Sequence, residues 1–309
     1  MSRAVLRETF GGPEVLHVRQ IAEPHAGAGE IRVRVRAAGL NPLDLSIAST
    51  PTLAAAFGLS LPAGFGCDFA GAVDEIGLGV DGFEVGDRVY GGVVGKAVAD
   101  FVVMTVPPVP PSLLLHTPDG VRDEVAAALP IPGLTASAAV AAVGVHRGDT
   151  VLIGGAAGGV GVLAVQLARL CGATVIGTAS FGTFEFLRQL GAEPVVYGPG
   201  LAERIRSLAP GGLSAAMDLY GTEAAEAALA LGVAPQRICT VAAGPNPPGG
   251  VRATGAAHAV PEALQRIAAA IGADTLTVPI AATYPIEQIH DAARMQTERH
   301  THGKIVITF

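Results

Sequence analysis

Cysteine is scarce in this chain: Cys67, Cys171 and Cys239 stand far apart in 309 residues. No CxxC pair occurs, which excludes a disulfide framework and a cysteine-rich zinc lobe. A reduced cytoplasm is therefore the expected compartment. Charge is sparse too, at 15% of residues, with a net charge of −7 and no basic block. That pattern argues against nucleic acid as the main partner. The opening "MSRAVLRETF" has no apolar h-region, so no secretory signal is expected there. One uncharged stretch, Val125 to Val145, is long enough to suggest a membrane span. Pro130, Pro132 and Gly133 interrupt it and its second half is mostly alanine. It reads as a loop feeding a buried helix, and no membrane partner is expected. No repeat of solenoid length and no low-complexity tail is visible.

Half of the residues are hydrophobic. Such a chain can bury a sizeable core, and its length suggests two domains or one large α/β domain. The first third reads as β-rich. In "EIRVRVRAAG", Ile31, Val33 and Val35 alternate with Arg32, Arg34 and Arg36, which predicts a half-buried strand with its arginines facing water. "FAGAVDEIG" and "GDRVYGG" predict further strands, with Gly-Asp turn chemistry between them. "PPVPPS" is a proline-rich connector.

From about Val121 the rhythm changes to apolar strands alternating with helical segments. "TVLIGG" precedes a helix over Val160 to Cys171, and "ATVIGTA" precedes a helix that Gly191 ends. "AAMDLYG", the helix "TEAAEAALALG" and the strand "RICTVAAG" follow. Repeated βα units imply a parallel sheet covered on both faces. The tail holds the helix "PEALQRIAAAIG", another after Pro285, and a last strand, "GKIVITF".

Between the first of these strands and its helix lies "GGAAGGVG", five glycines in eight residues. Glycine weakens both strand and helix, so bare backbone must serve some purpose there. In a βαβ context the turn reads as a dinucleotide-binding fingerprint. Gly155, Gly158 and Gly161 give GxxGxxG, and Ala156, Gly158 and Gly161 occupy the places of GxGxxG. A bare Gly158 lets a pyrophosphate approach the backbone, and a bare Gly161 lets the helix sit close to the strand. The whole turn, with Ala157, Gly159 and Val160, is the candidate cradle. The alternative is a tight βα turn without a ligand.

The second strand ends "VIGTAS". No acid occurs between Thr150 and Phe184, so no carboxylate awaits a ribose 2′-hydroxyl. Ser180 takes that position, and a hydroxyl can donate to a 2′-phosphate that a carboxylate would repel. This favours NADP (NADPH) over NAD. Arg188 offers charge one turn into the next helix; a solvated helix residue is the other reading.

These residues resemble the zinc-independent medium-chain dehydrogenase/reductases, specifically the NADPH:quinone oxidoreductase-like group. The resemblance runs in order through "FGGPEVL", "AAGLNPLD", "GCDFAGAVDEIG", "GFEVGDRVYG", "LPIPGLTASAA", "GGAAGGVG", "LGAEPVVY" and "HGKIVI". It implies an α/β fold: a Rossmann doubly wound parallel sheet over 123–274 and a GroES-like β-rich substrate domain split between 1–122 and 275–309. It also implies a cofactor in the cleft between them and a homodimer. Zinc-dependent relatives carry a cysteine where this chain has Asn41, a histidine where it has Cys67, and a cysteine at Ile131 or Pro132. A lone Cys67 cannot build a tetrahedral site, so no zinc and no other metal is expected, and Cys67 reads as a small buried residue. The four-cysteine structural zinc loop is missing as well.

Without a Lewis acid, alcohol oxidation is disfavoured, while quinones and enones stay reachable because their charge spreads onto oxygen on hydride addition. The resemblance makes Asn41 the catalytic candidate, lining the nicotinamide cleft with an amide that donates to oxygen. A turn asparagine before Pro42 is the other reading. Asp44 matches a structural position. Thr135 matches a threonine that approaches the cofactor, or is a helix N-cap. Tyr197 matches a tyrosine that touches the 2′-phosphate, or is a loop aromatic. Lys304 matches a lysine reaching the phosphate end, or a surface lysine.

Relatives carry a tyrosine shortly after the asparagine, where this chain has Leu45, Ser46 and Thr52, and no tyrosine occurs between Met1 and Phe83. Ser46 and Thr52 become the candidate substrate-pocket hydroxyls, with water or a solvent-protonated quinone as alternatives. The loop "STPTLAAAFGLSLPAGF" implies a hydrophobic pocket. His300 and His302 form an HxH pair read as exposed rather than metal-binding. The activity expected is hydride transfer from NADPH to a small hydrophobic quinone or conjugated carbonyl. An enoyl reductase acting on a biosynthetic enone is one alternative, and an NADPH-binding protein with little turnover is another.

Overall fold

The computed structural model describes residues 1–244, 246–260, 262–298 and 301–309. His300 lies outside the described residues, so the HxH pair does too. The chain divides into two units. One comprises Met1–Ile131, Ala268–Thr275 and Ile280–Phe309; the other comprises Pro132–Ile267 and Leu276–Pro279.

The first unit is β-rich. Its strands are β1 (Ser2–Arg7), β2 (His17–Ile21), β3 (Glu30–Leu40), β4 (Ala63–Gly64), β5 (Asp68–Ile76), β6 (Arg88–Gly92), β7 (Phe101–Thr105) and β8 (Leu113–His116). Helices α1 (Pro42–Ser49), α2 (Pro51–Ala56) and α3 (Asp123–Ala127) belong to it, and α4 (Pro130–Val143) begins in it. Strands β1, β2 and β4 form a small antiparallel sheet. The long strand β3 organises the larger sheet by pairing antiparallel with both β5 and β7.

Ile31, Val33 and Val35 are buried as their alternation predicts, in a core with Phe69, Val73, Val89 and Val102. Arg34 and Arg36 face solvent, but Arg32 does not: it is 8% exposed. The expectation that all three arginines face water is therefore corrected. Neighbouring β5 supplies Asp74 at 2.9 Å and Glu75 at 3.0 Å, Glu23 accepts at 3.1 Å, and the Phe101 ring lies 4.5 Å from the guanidinium carbon. Three carboxylates and an aromatic face replace the water that the guanidinium gives up.

The stretch from Val125 to Val145 holds two helices, α3 and α4. Helix α4 begins at Pro130 itself, so Pro130, Pro132 and Gly133 form its first turn rather than a loop. A missing N–H costs nothing in a first turn, where it would have no intrahelical acceptor. Among the described residues, no helix is long and apolar enough to cross a membrane.

The second unit holds a parallel sheet of β9 (Thr150–Gly154), β10 (Thr174–Ala179), β11 (Glu193–Val196), β12 (Ala215–Asp218), β13 (Ile238–Thr240) and β14 (Arg252–Ala253). Its order is β11-β10-β9-β12-β13-β14. The strand order thus reverses at β9, which makes the carboxyl end of β9 the switch point where open α/β sheets bind ligands. Helices α5 (Gly161–Leu170), α6 (Phe184–Leu190), α7 (Leu201–Leu208) and α8 (Glu223–Ala230) connect the strands, and α9 (Ala263–Gly272) follows them. Gly191, with φ 85°, ends α6 in the left-handed conformation that its position predicts. One core layer joins Leu152, Ile176 and Val195 of the sheet to Ile205, Ala224 and Ala228 of the helices. Asp218, at the end of β12, accepts from the backbone N–H groups of Tyr220, Gly221, Ala224 and Ala225, and so fixes the start of α8.

Helix α9 runs from the second unit into the first at Ala268, and β15 (Ile280–Pro285), α10 (Ile289–Glu298) and β16 (Lys304–Thr308) complete the first unit. Strand β16 pairs antiparallel with the end of β3, placing Ile305 opposite Leu40. This register brings Lys304 beside Asn41 across 263 residues of sequence.

Candidate functional site

In the second unit the glycine turn lies at the switch point. Gly155 takes φ 70°, and its N–H donates to Thr178 Oγ1 at 3.0 Å. Thr178, buried on β10, thus pins the start of the turn, a role the sequence reading did not assign. Ala156 is fully buried, whereas Ala157, Gly158, Gly159 and Val160 are partly exposed. The Val162 N–H already reaches Gly158 O at 3.0 Å as α5 begins.

The two later glycines are bare for different reasons. A Cβ on Gly161 would stand 2.2 Å from Gly155 O and 2.6 Å from Ala156 C and O, so the fold itself demands glycine there. A Cβ on Gly158 would meet only Gly155 O, at 3.4 Å, and the residue has no positive φ. The chain leaves the space at Gly158 open. That is the cradle a pyrophosphate needs, at the turn that opens α5. The residues present fit a dinucleotide.

Ser180 and Tyr197 follow β10 and β11. Ala179 is paired with Val196, so the two residues stand side by side one step beyond the sheet. Both are exposed, Tyr197 at 51%. Ser180 Oγ shares a hydrogen bond with Thr183 Oγ1 at 2.9 Å. The Arg188 guanidinium rests 5.7 Å from the ring centre of Phe184 on its own helix. Arg204, which the sequence reading passed over, donates to the carbonyls of Val196, Gly198 and Pro199 and so ties down the loop that carries Tyr197. Thr135 is buried within α4, five residues past its start, so it is not a helix N-cap.

In the first unit the structure gathers a buried polar cluster around Asn41, which is 2% exposed and precedes α1. Asn41 Nδ2 donates to Asp68 Oδ2 at 2.9 Å, and Asn41 Oδ1 accepts from Lys304 Nζ at 2.7 Å. Lys304 Nζ also donates to Leu40 O at 2.6 Å. The Asn41 N–H donates to Asp44 Oδ2 at 2.7 Å, and the Ile131 N–H donates to Asp68 Oδ2 at 3.1 Å. Asp44, Cys67, Asp68 and Lys304 are each no more than 3% exposed. Both ends of the Asn41 amide are therefore held, and its flip state is fixed by one cation and one carboxylate. Lys304 is not a surface lysine.

Burial governs the protonation of this cluster. It raises Asp44 to about 6, against the opposing pull of the Cys67 thiol, the Asn41 N–H and Lys304. Burial raises Asp68 further, to about 7, with Lys304 opposing and Asp44 adding. It lowers Lys304 and pushes the Cys67 thiol well up, so Cys67 stays protonated. Ser46 and Thr52 stand outside the cluster. Ser46 Oγ donates to Pro42 O at 3.0 Å on α1, and Thr52 is exposed on α2. Among the described residues, no group of three or more His, Cys, Asp or Glu side chains could hold a metal ion.

Two family models match the chain. One, the alcohol dehydrogenase GroES-like domain, covers residues 27–102; the other, described as zinc-binding dehydrogenase, covers residues 159–254. A crystal structure of an NAD-dependent alcohol dehydrogenase superposes with a TM-score of 0.86 at 30% identity, covering 99% of each chain. Mycobacterial Rv1454c complexed with NADPH superposes with a TM-score of 0.85 at 28% identity, covering 100% of each. Quinone oxidoreductase of Pseudomonas aeruginosa is 38% identical over 182 residues, which are 58% of this chain and 53% of that protein. The chain thus spans about half the length of the curated relative it matches. It belongs to the medium-chain dehydrogenase/reductase family. Within the family it falls in the zinc-independent, quinone oxidoreductase-like group.

Proposed function

We propose that this protein is an NADPH-dependent oxidoreductase that reduces quinones or other conjugated carbonyls without zinc. The observation that carries the reading is the open space at Gly158 beside a filled one at Gly161. The turn from Gly155 to Gly161 would hold the pyrophosphate. Ser180 and Tyr197, adjacent at the strand ends, would receive the adenosine end, with Ser180 offering a hydroxyl where an NAD site usually places an acid. The relative solved with NADPH supports that choice; the relative described as NAD-dependent makes it a question to test.

Bound nicotinamide supplies hydride to the electron-poor carbon of a conjugated acceptor. The chain's own part is positioning. Asp68 and Lys304 hold Asn41 in one orientation, and the short apolar helix α2 with the residues after it supplies a hydrophobic wall. Ser46 and Thr52 are the candidate pocket hydroxyls. Thr135 is a further cofactor-facing candidate. The same reading includes a homodimer and a cytoplasmic location.

The test is NADPH consumption against quinones, 2-alkenals and cyclic enones, repeated with NADH and with saturated primary alcohols. Quinone or enone turnover is expected, preferring NADPH and unaffected by chelators. Strong preference for one enone over all quinones would make it an enoyl reductase. NADPH binding without turnover of any acceptor would make it a binding protein. Sedimentation in solution checks the dimer.

A further inference from the structure

Two arginines are buried among the described residues, and they are opposites. Arg32 is surrounded by Asp74, Glu75 and Glu23. Arg7, at the end of β1 opposite Ala63, is more deeply buried, at 1% exposure, yet neither Nη1 nor Nη2 has a hydrogen-bond partner. Its one polar-type contact is with the ring of Phe10, whose centre lies 4.9 Å from the guanidinium carbon. Burial lowers its pKa with no carboxylate opposing the change. A guanidinium nonetheless stays charged at any physiological pH. A buried, unpaired cation is among the costliest groups a fold can keep, and such a group in a native chain calls for a partner from outside it.

The surroundings say what kind of partner. Phe10, which covers the guanidinium, is also part of an apolar cluster with Ile47, Ala54 and Cys67, flanked by Leu53 and Phe57. This cluster draws on α1, on α2 and the residue after it, and on Cys67, the neighbour of Asp68. A molecule entering here would meet a hydrocarbon wall and a single fixed cation with two free N–H-bearing nitrogens. That combination recognises a carboxylate on an apolar body, because a guanidinium fork matches both carboxylate oxygens. The Nη atoms are shielded, so the carboxylate would displace the Phe10 ring from them.

We propose that Arg7 is an anion-recognition residue, and that the preferred acceptor is a conjugated carbonyl carrying a carboxylate on an apolar body. The acceptor half of this inference rests on the proposed reductase activity; the binding half does not.

The experiment has a binding arm and a turnover arm. In the first, calorimetric titration of the full chain with octanoate and with octan-1-ol reads anion preference without NADPH. Octanoate is expected to bind at least about 10-fold more tightly, and Arg7→Met is expected to erase the difference. In the second, a naphthoquinone is compared with the same ring bearing a propanoate side chain. Arg7→Met is expected to lower kcat/KM about 100-fold for the acid and less than about twofold for the neutral quinone. Equal binding of octanoate and octanol by the unmodified chain would overturn the proposal, as would equal loss on both quinones. Arg7→Gln gives a second variant if methionine prevents folding. Absence of turnover with every acceptor would sink the reductase reading while the octanoate titration still decided Arg7.

Discussion

The glycine turn yields a prediction in which one added methyl group separates folding from binding. In Gly161→Ala the new Cβ would lie 2.2 Å from a carbonyl oxygen and 2.6 Å from the next peptide. All the offending atoms are backbone, so α5 must move off β9. Overpacking of this kind costs about 1–3 kcal/mol or more. For a unit of this size that is a fall of roughly 2–12 °C in Tm. In Gly158→Ala the nearest atom is 3.4 Å away, an ordinary contact. Its stability is expected to be unchanged or raised by up to about 1 kcal/mol, because alanine restricts the unfolded chain. What that variant loses is the close approach of a diphosphate. Its Kd for NADPH is expected to rise about 10- to 100-fold, a cost of about 1.4–2.7 kcal/mol. Differential scanning calorimetry gives the first quantity and NADPH fluorescence titration the second. Unaltered NADPH affinity in Gly158→Ala would refute the idea that bare backbone there serves a phosphate. Unaltered melting of Gly161→Ala would refute the packing argument.

Three further outcomes follow from the buried cluster and the strand ends. Asp44 has a folded pKa of about 6 against the usual 3.8, so the folded state binds its proton more tightly and loses stability as pH rises between these values. Asp44→Asn lacks that titration, and from pH 4 to pH 7 it is expected to gain about 2 kcal/mol relative to the original chain in denaturant melts; a pH-independent difference would contradict the assignment. Lys304→Met leaves Asp68 and Asp44 without their cation, so a loss of about 3–5 kcal/mol is expected at pH 8 and a smaller one at pH 5, where the carboxyls hold protons; a loss that is the same at both would show that charge is not the cause. Ser180→Asp places a carboxylate beside Tyr197, and the ratio of NADPH to NADH affinity is expected to fall about 10-fold or more; an unchanged ratio would place the 2′-phosphate elsewhere.

Much of this protein follows from local pattern. Apolar strands alternating with helical segments give the wound sheet, because period and glycine position are properties of short windows. The turn from Gly155 to Gly161 is legible for the same reason: strand, bare backbone and helix are contiguous. Ser180 and Tyr197 are separate marks in the sequence, and the pairing of Ala179 with Val196 makes them neighbours.

Other features could not be read in any window. Alternation places Arg32 on a polar face, but that face is covered by the carboxylates of another strand, so the arginine is buried and neutralised there. Asn41, Asp68 and Lys304 become one cluster only when β16 pairs with the end of β3. The sequence by itself determined which segments are strands and helices and where the backbone must be bare, since those depend on steric freedom and near-neighbour periodicity. Only the tertiary structure decided which charges meet, which stay unpaired at Arg7, and which protons the interior retains, because Coulomb energy and desolvation depend on distance in space and not on separation along the chain.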